Sequence, residues 1–235
     1  MSRRGLLGAA VAVPLLAACS APAARGPQPA GPAPTPTRPP IPTIKPLPTG
    51  EVALTFHGAG DLGLAKQVLA ALHAGGAAVT VLAVGTWLEQ NPDAARVVAD
   101  LGHEIGNHTY AHKDIDSMGE AAARAEIERC RDLIAKATGG PGAFFRPSQA
   151  QHATSAVVTL AASAGYPTVL SYDVDSQDFT DPGVAAIRRN VAKAKAGSVV
   201  SMHLGHPGTL QAVPGVLADL AGRGLTPVTA TRLFG

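Results

Sequence analysis

From residue 51 onward the apolar positions follow two alternating rhythms. Short runs rich in Val, Ile, Leu and Ala, at residues 52–56, 78–83, 104–107, 143–146, 168–171, 198–202 and 226–229, read as strands. Longer segments near 62–72, 92–101, 120–137, 155–164, 184–194 and 210–220 repeat their apolar residues at helical spacing. Glycines at Gly75-Gly76, Gly102, Gly139-Gly140, Gly165, Gly197 and Gly222 to Gly224 fall where those helices should end. Strands alternating with helices build a parallel sheet, because each crossover returns the chain to the same edge. Seven such strands predict an α/β fold of the distorted (β/α) barrel kind. An open doubly wound sheet shares the local pattern, and the barrel is the preferred expectation.

The polar residues sharpen this picture by where they fall. His57 follows the first expected strand, His108 the third, Arg146 closes the fourth, Asp173 and Asp175 follow the fifth, and His203 ends the sixth. Chemistry gathered at the carboxyl ends of parallel strands is the placement a barrel enzyme uses. His73, His103 and His152 lie in or beside helices or before a strand, and are expected to be structural. Cys130 falls on the apolar face with Ile127 and Ile134 and is expected in the core. His108 and His112 are four residues apart, so on one helical turn both imidazoles would face the same way and could share a metal.

The ends of the chain add a location. Residues 1–18 run from Arg3-Arg4 through an apolar stretch, Leu6 to Leu16, to Ala17 and Ala18, which is signal-peptide order with a core too short to span a bilayer. Leu16-Ala17-Ala18-Cys19 resembles the lipobox of bacterial lipoproteins, which implies lipidation at Cys19 and a place on the outer face of the cell membrane. Residues 19–49 read as a linker. Residues 21–48 hold eleven prolines and almost no large apolar side chains, too little to bury a core. In a polyproline-like state that segment reaches on the order of 85 Å, a length suited to a cell-wall substrate. The single expected domain is 50–235. Without Arg3, Arg4, Arg25, Arg38 and Lys45 it carries 14 Lys and Arg against 17 Asp and Glu, so no nucleic-acid partner is expected.

With Gly106-Asn107-His108-Thr109-Tyr110-Ala111-His112 in view, the domain resembles the polysaccharide deacetylase (NodB homology) family. The resemblance implies a distorted barrel, a divalent metal that is often zinc, and removal of acetyl groups from N-acetylated sugars. It makes His108 and His112 metal ligands. The family's D-x-x-D-W motif is nearly met by Asp175-Ser176-Gln177-Asp178-Phe179, and the apolar strand ending in histidine by Val199 to His203. That implies His203 as general acid, with Asp175 orienting it. Two motifs depart from the pattern. Where the family has T-F-D-D-G, this chain reads Thr55-Phe56-His57-Gly58-Ala59, so both expected carboxylates are missing. The candidates to replace them are His57, as base or ligand, and Asp61, as base, third ligand or simply the cap of the helix that begins near Leu62. Arg146-Pro147 opens the family's R-x-P-Y motif, but Ser148-Gln149 follows, and the backbone N–H near Gln149 is assigned to the oxyanion.

Two functions follow. One is a metal-dependent hydrolase deacetylating a cell-wall polysaccharide such as peptidoglycan, membrane-anchored through Cys19 and acting as a monomer. The other is a glycan-binding lipoprotein that keeps the barrel without turnover.

Overall fold

Every residue from Val52 to Phe56 is fully buried, so this run is covered on both faces, as a central parallel strand must be. The computed structural model describes residues 50–235. The signal segment, Cys19 and the linker lie outside the described residues. The buried run belongs to β1 (Glu51–Gly58), which pairs in parallel with β2 (Thr80–Ala83) on one side and β5 (Val199–His203) on the other. β3 (Glu104–Asn107) lies outside β2, and β4 (Val174–Asp175) outside β5. β6 (Thr226–Val228) pairs with the first three residues of β1.

The sheet thus has 6 strands in place of the seven expected. The difference lies at 143–146 and 168–171, which survive only as single parallel bridges, Asn107 with Phe145 and Phe145 with Val169. Prolines at 141, 147 and 167 bracket these runs, and a residue without an N–H cannot carry a ladder onward. The ring still closes. Val169 bridges to Phe145 while Val174 and Asp175, a few residues on, pair with Val200 and Ser201. The outcome is the distorted barrel of parallel strands that the alternation predicts.

Helices cover the outside: α1 (Leu62–Ala74), α2 (Gly85–Gln90), α3 (Ala94–Asp100), α4 (Glu120–Thr138), α5 (Ser155–Ser163), α6 (Val184–Val191), α7 (Pro207–Gly222) and α8 (Ala230–Phe234). α2 and α8 escape the sequence reading because neither is long enough to show a period. α4 buries Ala123, Ile127, Cys130 and Ile134, one stripe at helical spacing, and ends on Gly139 at φ 84°. Cys130 is a core residue, as expected. Its thiol donates to the Ala83 carbonyl at 3.2 Å, and burial pushes its pKa up to about 12. His103 is likewise structural, accepting from Val79 N–H and donating from Nε2 to the Leu69 carbonyl at 3.0 Å.

Where the ladder is thinnest the backbones pack closely. A Cβ on Gly106 would lie 2.7 Å from the Phe144 carbonyl oxygen, nearer than atoms can sit without displacement. Gly106→Ala is expected to destabilise the domain by about 1–3 kcal/mol. Ile127→Ala, at a fully buried position, should cost about 2–5 kcal/mol with an unchanged denaturant slope. Urea unfolding monitored by circular dichroism checks both.

A histidine cluster at the carboxyl ends of the strands

The parallel register sets His57, near the end of β1, directly beside His203, at the end of β5. Their ring centroids are 4.4 Å apart, and His108, at the exit of β3, stacks on His57 at 4.1 Å. His112 closes the group at 4.7 Å from His108 and 6.2 Å from His57. Four histidines from three strand ends therefore occupy one site, as the placement of polar residues along the sequence predicts.

His108 and His112 do not share a helical turn. The segment between them is irregular, with Thr109 at φ 65° and His112 at φ 54°. A β-branched residue at positive φ is strained and persists only when its surroundings over-determine it. Here the Asn107 carboxamide accepts from Thr109 N–H at 2.9 Å, and the Thr109 hydroxyl meets that of Ser148 at 3.0 Å. Ser148 in turn bonds the Lys113 carbonyl, Glu126 accepts from Ala111 N–H at 2.7 Å, and Gln149 Nε2 donates to the His112 carbonyl at 2.9 Å. Gln149, Gln177 and Asp181 are also at positive φ. The strained non-glycine residues all lie in the loops that carry the site.

The donor set fits a metal ion. A carbonyl can only accept, so the 3.0 Å contact from His108 Nδ1 to the Arg146 oxygen fixes the proton on Nδ1 and leaves Nε2 with its lone pair. That Nε2 lies 3.1 Å from His112 Nε2, close to the roughly 3.3 Å separating two nitrogens on one tetrahedral zinc. One ring nitrogen from each of His57, His108 and His112 lies within 4.8 Å of the others. Burial, then the cost of a second charge beside the His108 ring and the Arg146 guanidinium, holds His57 well below the ordinary imidazole pKa. Burial and His112 do the same for His108. Burial and His203 lower His112 as well. All three are therefore neutral near pH 7, the form that ligates.

Asp61 is not one of this group, so of the readings open to it third ligand is corrected and helix cap is the one observed. It is exposed and its Oδ1 accepts from Leu64 N–H at 2.7 Å, capping α1. A carboxylate satisfied by a helix N-terminus is turned away from the imidazoles.

The partner of His203 also differs from expectation. Asp178, fully buried, accepts from His203 Nδ1 at 2.7 Å and from its backbone N–H at 2.9 Å. Ser176 and Thr209 hydroxyls donate to the same carboxylate at 2.9 and 2.6 Å. Burial alone would raise its pKa, but the bonds from His203 and Thr209 outweigh it and hold the group below the usual carboxylate value. Asp175, the residue expected in this role, instead accepts from the Gln177 backbone and side chain at 2.8 and 2.6 Å. The left-handed turn at Gln177, φ 57°, decides which of two carboxylates three apart points inward, and nothing in the residue types announces it. Asp173 sits at the far end of β5, bonded to Ser198 and Val199.

Arg146 is fully buried behind the imidazoles. Its Nε donates to the Leu170 carbonyl at 3.0 Å and one terminal nitrogen reaches Ser171 O at 3.4 Å, while Nη1 has no partner among the described residues. Its carbonyl sets the His108 tautomer, so it positions the site from below. Phe179, 45% exposed, meets the His203 ring edge-on at 5.2 Å. His206 pairs with Asp181 at 3.2 Å nearby.

The geometry agrees with comparison to known proteins. The polysaccharide deacetylase family model matches residues 45–169. A peptidoglycan-N-acetylglucosamine deacetylase of Bacillus cereus is 33% identical over 188 residues, covering 78% of this chain and 87% of the relative. The solved structure of a family 4 carbohydrate esterase from Streptomyces lividans, in complex with acetate, superimposes with a TM-score of 0.72 at 34% identity, covering 76% of this chain and 91% of the other. A family pseudoenzyme from Bacillus anthracis, 22% identical, superimposes with a TM-score of 0.75 over 80% of this chain and 66% of its own, a likeness of fold alone. This chain belongs to the polysaccharide deacetylase family.

Proposed function

We propose that the chain is a metal-dependent hydrolase that removes acetyl groups from N-acetylated sugars of a cell-wall polysaccharide such as peptidoglycan. The observation that carries the reading is the group of three neutral imidazoles, His57, His108 and His112, facing the Asp178–His203 pair. A divalent metal, with zinc the best match to three imidazole nitrogens, supplies Lewis acidity toward the acetyl carbonyl and toward water. Everything else is done by the chain. His203, its Nδ1 proton held by Asp178, keeps Nε2 for exchanging a proton with the departing amine. Asp178 fixes that tautomer and stabilises the imidazolium when it forms. The backbone N–H near Gln149 is assigned to the developing oxyanion. Phe179 offers an aromatic edge beside His203 against which a sugar ring can lie.

In the same reading residues 1–18 export the protein, Cys19 carries lipid, and the 19–49 linker lets the domain reach wall polymer from the outer face of the membrane. Cys19→Ala should then move the protein from the membrane fraction to the soluble one, read by immunoblot.

A second reading, glycan binding without turnover, is favoured by one observation. No carboxylate joins the imidazole trio among the described residues, and Asp61 and Asp175 are engaged elsewhere. The two separate on acetate release from N-acetylglucosamine oligomers and peptidoglycan. Chelator-sensitive release that zinc restores supports the hydrolase. Binding without release, unchanged in His108→Ala, supports the module.

For the hydrolase, His203→Gln is expected to lower kcat by about 10²- to 10⁴-fold with bound metal retained, whereas His108→Ala should lose the metal itself, measured by atomic absorption. Stability should depend on pH in a defined direction. The folded pKa values of His57, His108 and His112 lie below 6.5, so the unfolded chain binds protons that the folded one does not. Their contribution is present above pH 6.5 and is lost as pH falls from there toward the folded values. The melting temperature of chelator-treated protein, followed from pH 8 to pH 5, should drop below about pH 6.5.

A further inference from the structure

Charge is distributed unevenly through the domain. Between Asp181 and Asp219 there is no acidic residue, while Arg188, Arg189, Lys193 and Lys195 are basic. Arg223 joins them in space, donating to the Ala192 and Ala194 carbonyls at 2.8 and 2.6 Å at the end of α6. Arg188 is matched by Asp219 at 2.7 Å, but among the described residues no carboxylate lies within ion-pair distance of Arg189, Lys193, Lys195 or Arg223. All four are exposed. A shallow groove of about 580 Å³ runs between α6 and α7, lined by Arg188, Arg189, Arg223 and Asp219. A domain acidic as a whole thus concentrates positive charge on one face.

The position of that face gives it meaning. Lys195 precedes β5, and Gly197 N–H donates to the Glu51 carbonyl at 2.8 Å. Arg223 precedes β6, where Thr226 N–H donates to the Gly50 carbonyl at 2.6 Å. Both residues sit at the amino ends of the strands, beside the point where the chain enters the domain. His57 and His203 stand at the opposite, carboxyl ends.

We propose that the α6–α7 face, through Arg189, Lys193, Lys195 and Arg223, docks on an anionic phospholipid surface with the catalytic ends of the strands turned away from it. The choice of a membrane over another polyanion rests on the reading of the chain as tethered at Cys19, because the tether would enter the domain beside this face. A basic side chain held near an anionic bilayer strengthens attachment about fivefold, and the attraction fades over about 8–10 Å at physiological salt. Three or four such residues hold a tethered domain down weakly and reversibly. The docked and released domains would reach different depths of the wall.

The test uses the full chain with Cys19→Ser, so that no lipid contributes, in co-sedimentation with vesicles of phosphatidylcholine alone or mixed with phosphatidylglycerol. The chain should prefer the anionic vesicles, and added salt should erode the preference. Arg189→Gln/Lys193→Gln/Lys195→Gln should reduce it by about tenfold or more. Arg223 is left in place because it also caps helix carbonyls. Lys66→Gln/Arg96→Gln/Lys136→Gln removes equal charge elsewhere and should leave it within about twofold. Equal loss in both variants, or no loss in the first, overturns the proposal. So does binding to soluble poly(glycerol phosphate) as tight as to vesicles at matched phosphate, which would make a wall polymer the partner. Melting temperature confirms that each variant is folded, and acetate release from soluble oligomers, assayed separately, should be unchanged. No preference of the Cys19→Ser chain for anionic vesicles, with acetate release intact, removes this inference and leaves the proposed function standing.

Discussion

Arg146 is the residue on which ring and site both depend. Its backbone N–H donates to the Asn107 carbonyl at 2.9 Å and its own carbonyl accepts from His108 Nδ1 at 3.0 Å. Its guanidinium reaches across to the Leu170 and Ser171 carbonyls. Those contacts bridge the stretch where the parallel ladder dwindles to single bridges, so a side chain does what strand pairing does elsewhere. The cost is a cation with almost no exposure and an Nη1 without a partner among the described residues. A buried charge is tolerated only where geometry demands it, and here it fixes one imidazole tautomer and closes one barrel.

Two electrostatic regimes meet above it. On one side three imidazoles are kept neutral chiefly by burial. On the other a carboxylate is held below its usual pKa in spite of burial because His203 and Thr209 donate to it. His57 and His203 are register partners on adjacent strands, so the boundary between the regimes is one strand spacing wide. Lewis-base donors and a proton-carrying pair are thereby held together without sharing their protonation states.

Much of this was legible from residues alone. The run at 52–56 read as a strand, and His57, His108 and His203 stood where expected strands ended. What failed to show was the direction of side chains in irregular backbone. The pair His108 and His112 converges through left-handed residues rather than a helical turn, and residue type does not encode that choice. For Asp61 the residues left ligand, base and helix cap open, and only the backbone at the start of α1 decides for the cap. Asp175 and Asp178 differ only in which side of the Gln177 turn they occupy. The strands at 143–146 and 168–171 had the composition of strands, but their flanking prolines removed the donors that would have extended them.

Ring closure also bears on how the protein reaches its working form. The Thr55 hydroxyl bonds the Val200 carbonyl across 145 residues of chain, and β1 and β5 are the strands that bring His57 and His203 side by side. Contacts so distant in sequence form slowly, since the entropy of closing the loop is spent before pairing returns it. A chain with only its first half folded holds His57, His108 and His112 but lacks the proton-carrying half of the site. Chemistry therefore requires the long-range pairing of β1 with β5, and the site is complete only once both halves of the domain are in place.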